Sequence, residues 1–440
     1  MLSLIGILVG LAAYIVLVYI GYNTIFISMV AAAIVALFSA MNPFDALTKF
    51  YAPGFAGFMQ GYVVMFMLSC LFAQLMAKSN AAASIALKVS SLVDKAKTQR
   101  QRIFLCVLTL PLVNIILTLG GVSLFVVSFI MVSLARPLFE KNNVPWRLYT
   151  CNCLGSATFT VALFPGSPQI QNLIPMEYFG TTPTSGAVLG LLGSLFMLVW
   201  GCVYIWIQAG KADRKGEGFA ETGAAIMREE KMLALDQIKT VPMWRALLPM
   251  VVLFVVMNGF KQSANVALCC AIVACYIFLP RENIGLKATL PVAIPQGIMV
   301  AAAVSAASGF GRVISNVDGF QYVVSNLGNI PGPKALQIVI AVNVAAGICG
   351  SSSSGMRIAL DSLGDQFLAS GIAPAALHRL VGISSVGLDT LPQCAAAQSA
   401  FAVTKLTHRQ AYNNFLWISL IGTICCAIFV AILITLGIQV

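Results

Sequence analysis

Charge is what this chain has least of. Only 9% of its 440 residues are Asp, Glu, Lys or Arg, against 59% hydrophobic ones, and the mean hydropathy is +0.91. Soluble domains carry about 25% charge, so an ordinary soluble enzyme or nucleic-acid binder is excluded. Histidine is almost missing: His378 and His408 are the two. The chain has no HExxH, no GxxxxGK[ST] and no CxxC. Those absences remove a zinc protease, an ATP-driven engine and a paired-cysteine metal or redox site. A serine hydrolase needs a Ser–His pair within reach, and the serine-rich stretch at 351–354 has no obvious one. No run of regularly spaced arginines marks a voltage sensor. Cysteine is present, 12 in all, but Cys70, Cys106, Cys202, Cys425 and Cys426 sit inside apolar runs, where cysteine behaves as a small hydrophobe. Cys151 and Cys153 stand without partner ligands. Neither a metal nor a cofactor is expected, and nucleic acid is not an expected partner.

What remains is apolar sequence in pieces near the roughly 20 residues that cross a bilayer. Spans are predicted near 2–21, 23–40, 60–78, 102–117, 121–138, 148–164 and 186–208. A second set follows near 246–259, 264–280, 288–308, 335–349, 356–369, 376–391 and 412–437. The alternating strands of a β-barrel are absent. No Lys or Arg precedes the first apolar run, so it reads as a retained span and not a secretory signal. The chain is therefore expected to be an all-α polytopic membrane protein. Residues 1–208 form a first membrane repeat, with scaffold spans at 1–60 and a transport part at 61–208. A charged cytoplasmic linker covers 209–245, and 246–440 forms a second repeat.

The net charge of +11 fits basic residues held on the cytoplasmic face. Lys88, Lys95, Lys97, Arg100 and Arg102 mark one cytoplasmic segment, 211–245 a second, and Lys405, His408 and Arg409 a third. The crossings agree with all three if 102–138 dips in from the cytoplasm and 335–369 dips in from outside. Both termini are then extracytoplasmic. The two halves also match in layout. Residues 64–93 pair with 299–327, and 103–136 with 338–367. Residues 147–172 pair with 379–399. Opposite insertion of two such copies is the inverted-repeat signature of secondary carriers.

Four chain breaks stand at matching places. Gly120-Gly121-Val122-Ser123 interrupts one apolar run, and Gly350-Ser351-Ser352-Ser353-Ser354-Gly355 interrupts its counterpart. Phe164-Pro165-Gly166-Ser167-Pro168-Gln169 and Leu388-Asp389-Thr390-Leu391-Pro392-Gln393 are the other pair. Proline lacks a donor and clashes with the preceding turn, so neither stretch continues a helix. In lipid, non-helical chain survives only where protein encloses it or it lines a cavity. Helix ends meeting there aim unpaired N–H groups at one spot, a ready anion site. The alternatives are a solvent-facing serine loop at 350–355 and a plain outer turn at 164–169.

Asp389 is the sharpest single residue, because an ionisable group between apolar helical stretches is a functional candidate by default. It either takes the coupling proton, or caps a helix or pairs with Arg379. Arg357 either draws a carboxylate toward the serines or pairs with Asp361 one turn on. Arg312, near Asp318, looks like interfacial snorkelling.

On these motifs the chain resembles the gluconate permease family, within the wider ion transporter superfamily. The resemblance covers nearly its whole length. It is carried by Gly120-Gly121-Val122-Ser123, Phe164-Pro165-Gly166-Ser167-Pro168-Gln169-Ile170-Gln171-Asn172, Gly309-Phe310-Gly311 and Gly387-Leu388-Asp389-Thr390-Leu391-Pro392. It implies proton-coupled uptake of gluconate or a short hydroxy-carboxylate such as 3-hydroxybutyrate across a bacterial inner membrane. It also implies a homodimer with a scaffold domain and a transport domain that moves as an elevator. Carried over, the substrate would meet Ser123 and its neighbour Gly121, Ser167, the tip Ser351, Ser352, Ser353 and Ser354, and Thr390. The breaks add Gly166, Gln169 and Gln393 as candidates. Gluconate carriers of the family tend to have His after the Leu-Pro, where this chain has Gln393-Cys394; Asp389 is then the better proton candidate. The rivals are a sodium-coupled, citrate-like carboxylate symporter, an anion channel and, least fitting, a membrane enzyme.

Overall fold

The computed structural model describes the chain except residues 1, 94, 120–123, 168, 230–239, 261, 281–283 and 327–330. It is helical throughout the described residues, with no strand. Helix α1 (Leu2–Ile20) and α2 (Thr24–Phe38) fold together; Asn23 caps α2 through the amides of Ile25 and Phe26. The Ser3 hydroxyl lies 2.9 Å from that of Ser39, so the start of α1 meets the end of α2. Helix α3 (Pro43–Lys78) includes a π-helical stretch at Ala46–Tyr51 and is followed by α4 (Ala81–Val93). A hairpin of α5 (Gln99–Leu119) and α6 (Leu124–Lys141) comes next.

The segment expected as one span near 148–164 is instead a 3-10 helix, Trp146–Asn152, running into a π-helix, Leu154–Leu163. The Thr160 hydroxyl donates to the Gly155 carbonyl five residues back (3.0 Å). That bond spans a π turn, and such widened turns gather at functional sites. After a break come α7 (Ile170–Phe179), the long α8 (Ala187–Lys215) and α9 (Phe219–Glu229).

The second half starts with α10 (Met243–Asn258), α11 (Ala264–Phe278), α12 (Leu286–Ser315) and α13 (Asp318–Asn326). A hairpin of α14 (Lys334–Cys349) and α15 (Ser352–Leu368) follows. Helix α16 (Pro374–Ser384) is broken from α17 (Ala395–Thr404) by a stretch holding a short 3-10 turn, Leu388–Thr390. Helix α18 (His408–Thr435) closes the chain. Among the described residues five helices, α1, α3, α8, α12 and α18, are long and apolar enough to cross a membrane. The chain is a polytopic helical membrane protein.

Packing rests on α3 against α12, the most extensive helix pair. Gly297 on α12 comes so near that a Cβ there would lie 2.7 Å from the Met67 Cα. Helix α3 starts at 43, well before the predicted 60, and the boundary expected at 60/61 falls inside it. One core cluster joins most of the helices; a second lies where α1 and α2 cover α12 and α13. Each hairpin packs on the broken helix of its own half and also reaches that of the other half: α6 touches α17, and α15 touches α7. The Trp146 indole donates to the Thr404 carbonyl (3.0 Å), tying the start of one broken helix to the end of the other.

Candidate functional site

The site is best built from the turn between α14 and α15. Gly350 closes α14 with φ +61°, a left-handed geometry that glycine adopts without cost. Ser351 then caps α15, its hydroxyl accepting from the Ser354 amide (3.5 Å). One helix ends and the next begins within two residues. The arms meet so closely that a Cβ on Gly355 would sit 2.3 Å from the Ala346 Cα. The first amides of α15 have no partner within the helix, and the hydroxyls of Ser351, Ser353 and Ser354 cluster beside them at 3.3 Å spacings. Ser352 is buried; Ser354 is exposed.

The first break lies across from this turn. Gly166 takes φ +80° and its amide donates to the Pro183 carbonyl (2.8 Å). Ser167 is fully buried and gives its hydroxyl to the Thr160 carbonyl, so it closes the end of the π-helix. Gln169 donates to the Thr118 carbonyl (2.9 Å), in the last turn of α5. Gln171 reaches across to the Ser352 hydroxyl (2.8 Å).

The second break is held the same way. Gln393 donates to the Gly347 carbonyl (3.3 Å), in the last turn of α14, as Gln169 does on α5. The Asn343 side chain accepts from the Leu388 amide (3.1 Å). The Thr390 hydroxyl donates to Gly387 (2.8 Å), and its carbonyl accepts from the Tyr412 hydroxyl (3.0 Å). Gln398 and His408 take up the Pro392 carbonyl. The unwound carbonyls are largely accounted for, which is the condition for non-helical chain at depth.

Two acceptors are left over. Asp389 lies against Ser352, interacting with its hydroxyl and backbone amide. Its Oδ1, and Oε1 of the buried Gln393, have no hydrogen-bond partner among the described residues. A buried acceptor without a donor costs about 1–3 kcal/mol. The arrangement therefore presents serine hydroxyls and helix amides that suit a carboxylate, next to oxygens that suit a proton, a hydroxyl or a cation.

The expected sites fare differently. Gly121 and Ser123 lie outside the described residues. Ser351, Ser352, Ser353, Ser354, Asp389 and Gln393 come together around the α14–α15 turn. Ser167 and Thr390 are placed nearby, but both spend their hydroxyls on backbone carbonyls. Asp389 does not pair with Arg379. That arginine is fully buried, and it donates to Ala162, Leu163, Pro183 and Ser185 carbonyls and to the Asn172 side chain at 2.8–3.4 Å. Arg357 pairs with neither the turn nor Asp361: it bonds Glu177 on α7 (2.9 Å), and Asp361 takes the Tyr178 hydroxyl. The i+4 spacing gave one partner, and packing of α15 on α7 supplied a better one. Gln171 and Asn343 were given no role from the sequence, and Arg379 was weighed only as a partner for Asp389; each is a polar residue in or beside an apolar run.

No family model matches the chain. It is 30% identical over 476 aligned positions to the uncharacterized transporter YxjC of Bacillus subtilis (strain 168), covering 98% of this chain and 98% of that one. With identity at that level along the full length of both, and a helical membrane fold with its polar site at chain breaks, the chain belongs to the transporter family that includes YxjC.

Proposed function

We propose that the chain is a secondary active carrier of a small organic anion, a short hydroxy-monocarboxylate such as 3-hydroxybutyrate or gluconate taken up with protons through the bacterial inner membrane. One observation carries it: at the second break, unpartnered Asp389 Oδ1 and Gln393 Oε1 stand beside the serine-capped start of α15. The helix amides and hydroxyls hold the carboxylate, and Gln393 accepts from the hydroxyl. Asp389 takes the proton. Loading both favours the change of access, since a ligand shifts an equilibrium only by differential affinity.

Two inverted repeats support this reading. Elements from α1 to α8 recur in order from α10 to α18: a helix pair, a long helix, a short one, a hairpin, a broken helix and a long closing helix. The basic residues put the copies in opposite orientations. The packing of each hairpin on the broken helices of both copies fits a moving transport part at 99–215 and 334–435. The scaffold is then 2–93 with 243–326, a division at helix ends that replaces the one at 60/61. Dimerisation through that scaffold follows from the family resemblance alone.

The same orphan oxygens suit sodium, which makes a sodium-coupled carrier the second reading. Proteoliposomes separate the two. Accumulation of 3-hydroxybutyrate driven by a proton gradient without sodium is expected; accumulation only with a sodium gradient overturns proton coupling. Saturation-free current in a planar bilayer overturns the carrier altogether.

A further inference from the structure

The stretch between Asp389 and Gln393 is held from outside by two side chains of α18, one helical turn apart. The Tyr412 hydroxyl donates to the Thr390 carbonyl (3.0 Å). His408 stands with Nε2 3.2 Å from the Pro392 carbonyl; a carbonyl only accepts, so that nitrogen carries the proton. Gln398 on α17 gives the same carbonyl a second donor (2.7 Å). The two held carbonyls lie just inside the pair of orphan oxygens, 390 following Asp389 and 392 preceding Gln393. The break has one short 3-10 turn of its own, Leu388–Thr390. Hydrogen bonds in such turns are poorer in geometry than those of an α-helix, so the shape of the stretch depends on donors from elsewhere.

Both donor rings also touch the other body. Tyr19, near the end of α1, lies edge-on to Tyr412 with ring centroids 6.1 Å apart, and tilted against His408 at 6.2 Å. Helix α1 meets the start of α18 at this place. Within the mobile part, His408 packs on Phe401 at 4.3 Å and Tyr412 on Phe415 at 6.5 Å. These are the spacings and tilts at which aromatic rings attract. The two donors are thus buried between their own body on one side and a scaffold ring on the other. Tyr19 itself is 41% exposed, so shortening it leaves no closed void in the core.

We propose that Tyr19 is a positioning residue for the second break: packed on His408 and Tyr412, it holds them against the Pro392 and Thr390 carbonyls, and the site keeps its binding shape only while α1 stands beside α18. The inference rests on the carrier reading for what the break binds, and on the aromatic contacts for what holds it. When the mobile part travels, Tyr19 leaves the two rings, the donors are no longer pinned, and the break loosens. Affinity then differs between the two positions, which is the condition for a ligand to shift their balance.

The test is amide hydrogen exchange of the full chain in detergent, read by mass spectrometry on peptides covering 386–396. The Leu388, Thr390, Leu391 and Cys394 amides are all bonded within or beside the break, so their exchange reports its opening. Tyr19→Ala is expected to speed exchange there at least threefold while the peptides of α10 and α11 stay as they are. Tyr19→Phe keeps the ring and is expected to exchange like the native chain. Tyr412→Phe, which loses only the hydroxyl, is expected to follow Tyr19→Ala. In proteoliposomes Tyr19→Ala is expected to raise the KM for 3-hydroxybutyrate exchange at least threefold with a smaller change in maximal rate. Break exchange unchanged in Tyr19→Ala, equal acceleration in Tyr19→Phe, or acceleration spread over the whole chain overturns the proposal. Amide exchange needs no substrate, so the two readings fail separately. A break that Tyr19→Ala loosens, in a protein that carries no hydroxy acid, refutes the carrier and leaves the role of Tyr19 standing. Uptake by a protein whose break and KM ignore Tyr19→Ala refutes that role alone.

Discussion

Asp389 and Arg379 are ten residues apart and do opposite work. Asp389 keeps a buried oxygen unengaged beside Ser352, while Arg379 spends its guanidinium on five acceptors around the first break. Asp389→Asn keeps the shape and removes the exchangeable proton. Gradient-driven accumulation is expected to disappear while substrate exchange between loaded vesicles persists; full pH-driven uptake by the variant would take Asp389 out of the mechanism. Arg379→Met is expected to fail differently. It takes the guanidinium from the Ala162, Leu163 and Ser185 carbonyls, while that of Pro183 keeps the Gly166 amide; each carbonyl left unsatisfied costs about 1–3 kcal/mol, so a loss of about 3 kcal/mol or more should lower the melting temperature in detergent. Lysine restores only part of it, because a point charge cannot fork to several carbonyls. An unchanged melting temperature for the methionine variant would refute this role.

At the scale of elements, the α14–α15 hairpin works because its arms touch backbone to backbone. The contact at Gly355 and Ala346 leaves no room for a methyl. Gly355→Ala must move one arm, at a typical overpacking cost of about 1–3 kcal/mol, and shift Ser352 relative to Asp389. The expected result is at least a tenfold fall in the uptake rate with protein still in the membrane; normal uptake would show that the turn geometry tolerates movement. The Arg357–Glu177 bridge between α15 and α7 is another matter. Its side chains are 44% and 61% exposed, and exposed pairs contribute about 0–1 kcal/mol. It is a contact that opening could break at little cost.

For the molecule as a whole, the decisive question is whether α6 and α17 slide along α3 and α12. A Val132→Cys, Ala303→Cys protein, joined by a bifunctional methanethiosulfonate across the cleft that both residues line between α6 and α12, is expected to stop accumulating substrate and to recover on reduction. Unimpaired uptake by the cross-linked protein would remove the elevator. The surface for such a movement would be the pair α3 and α12, the most extensive helix packing in the fold.

The breaks were legible in the sequence because their causes are local. Proline cannot donate, glycine admits the left-handed region, and serines at the centre of an apolar run have no reason to be there without a cavity. The helical membrane class follows from hydropathy for the same reason. The sequence also marked Asp389, since an ionisable group in an apolar run stands out whatever surrounds it. Partners were decided by the tertiary structure. Arg379 serves the first break and not Asp389, Arg357 crosses to Glu177, and Ser167 turns inward, because each choice depends on which helix another lies against. Only the packing of one half on the other brings Gln171 to Ser352, and only the folded second break leaves Gln393 and Asp389 with oxygens that no described residue satisfies.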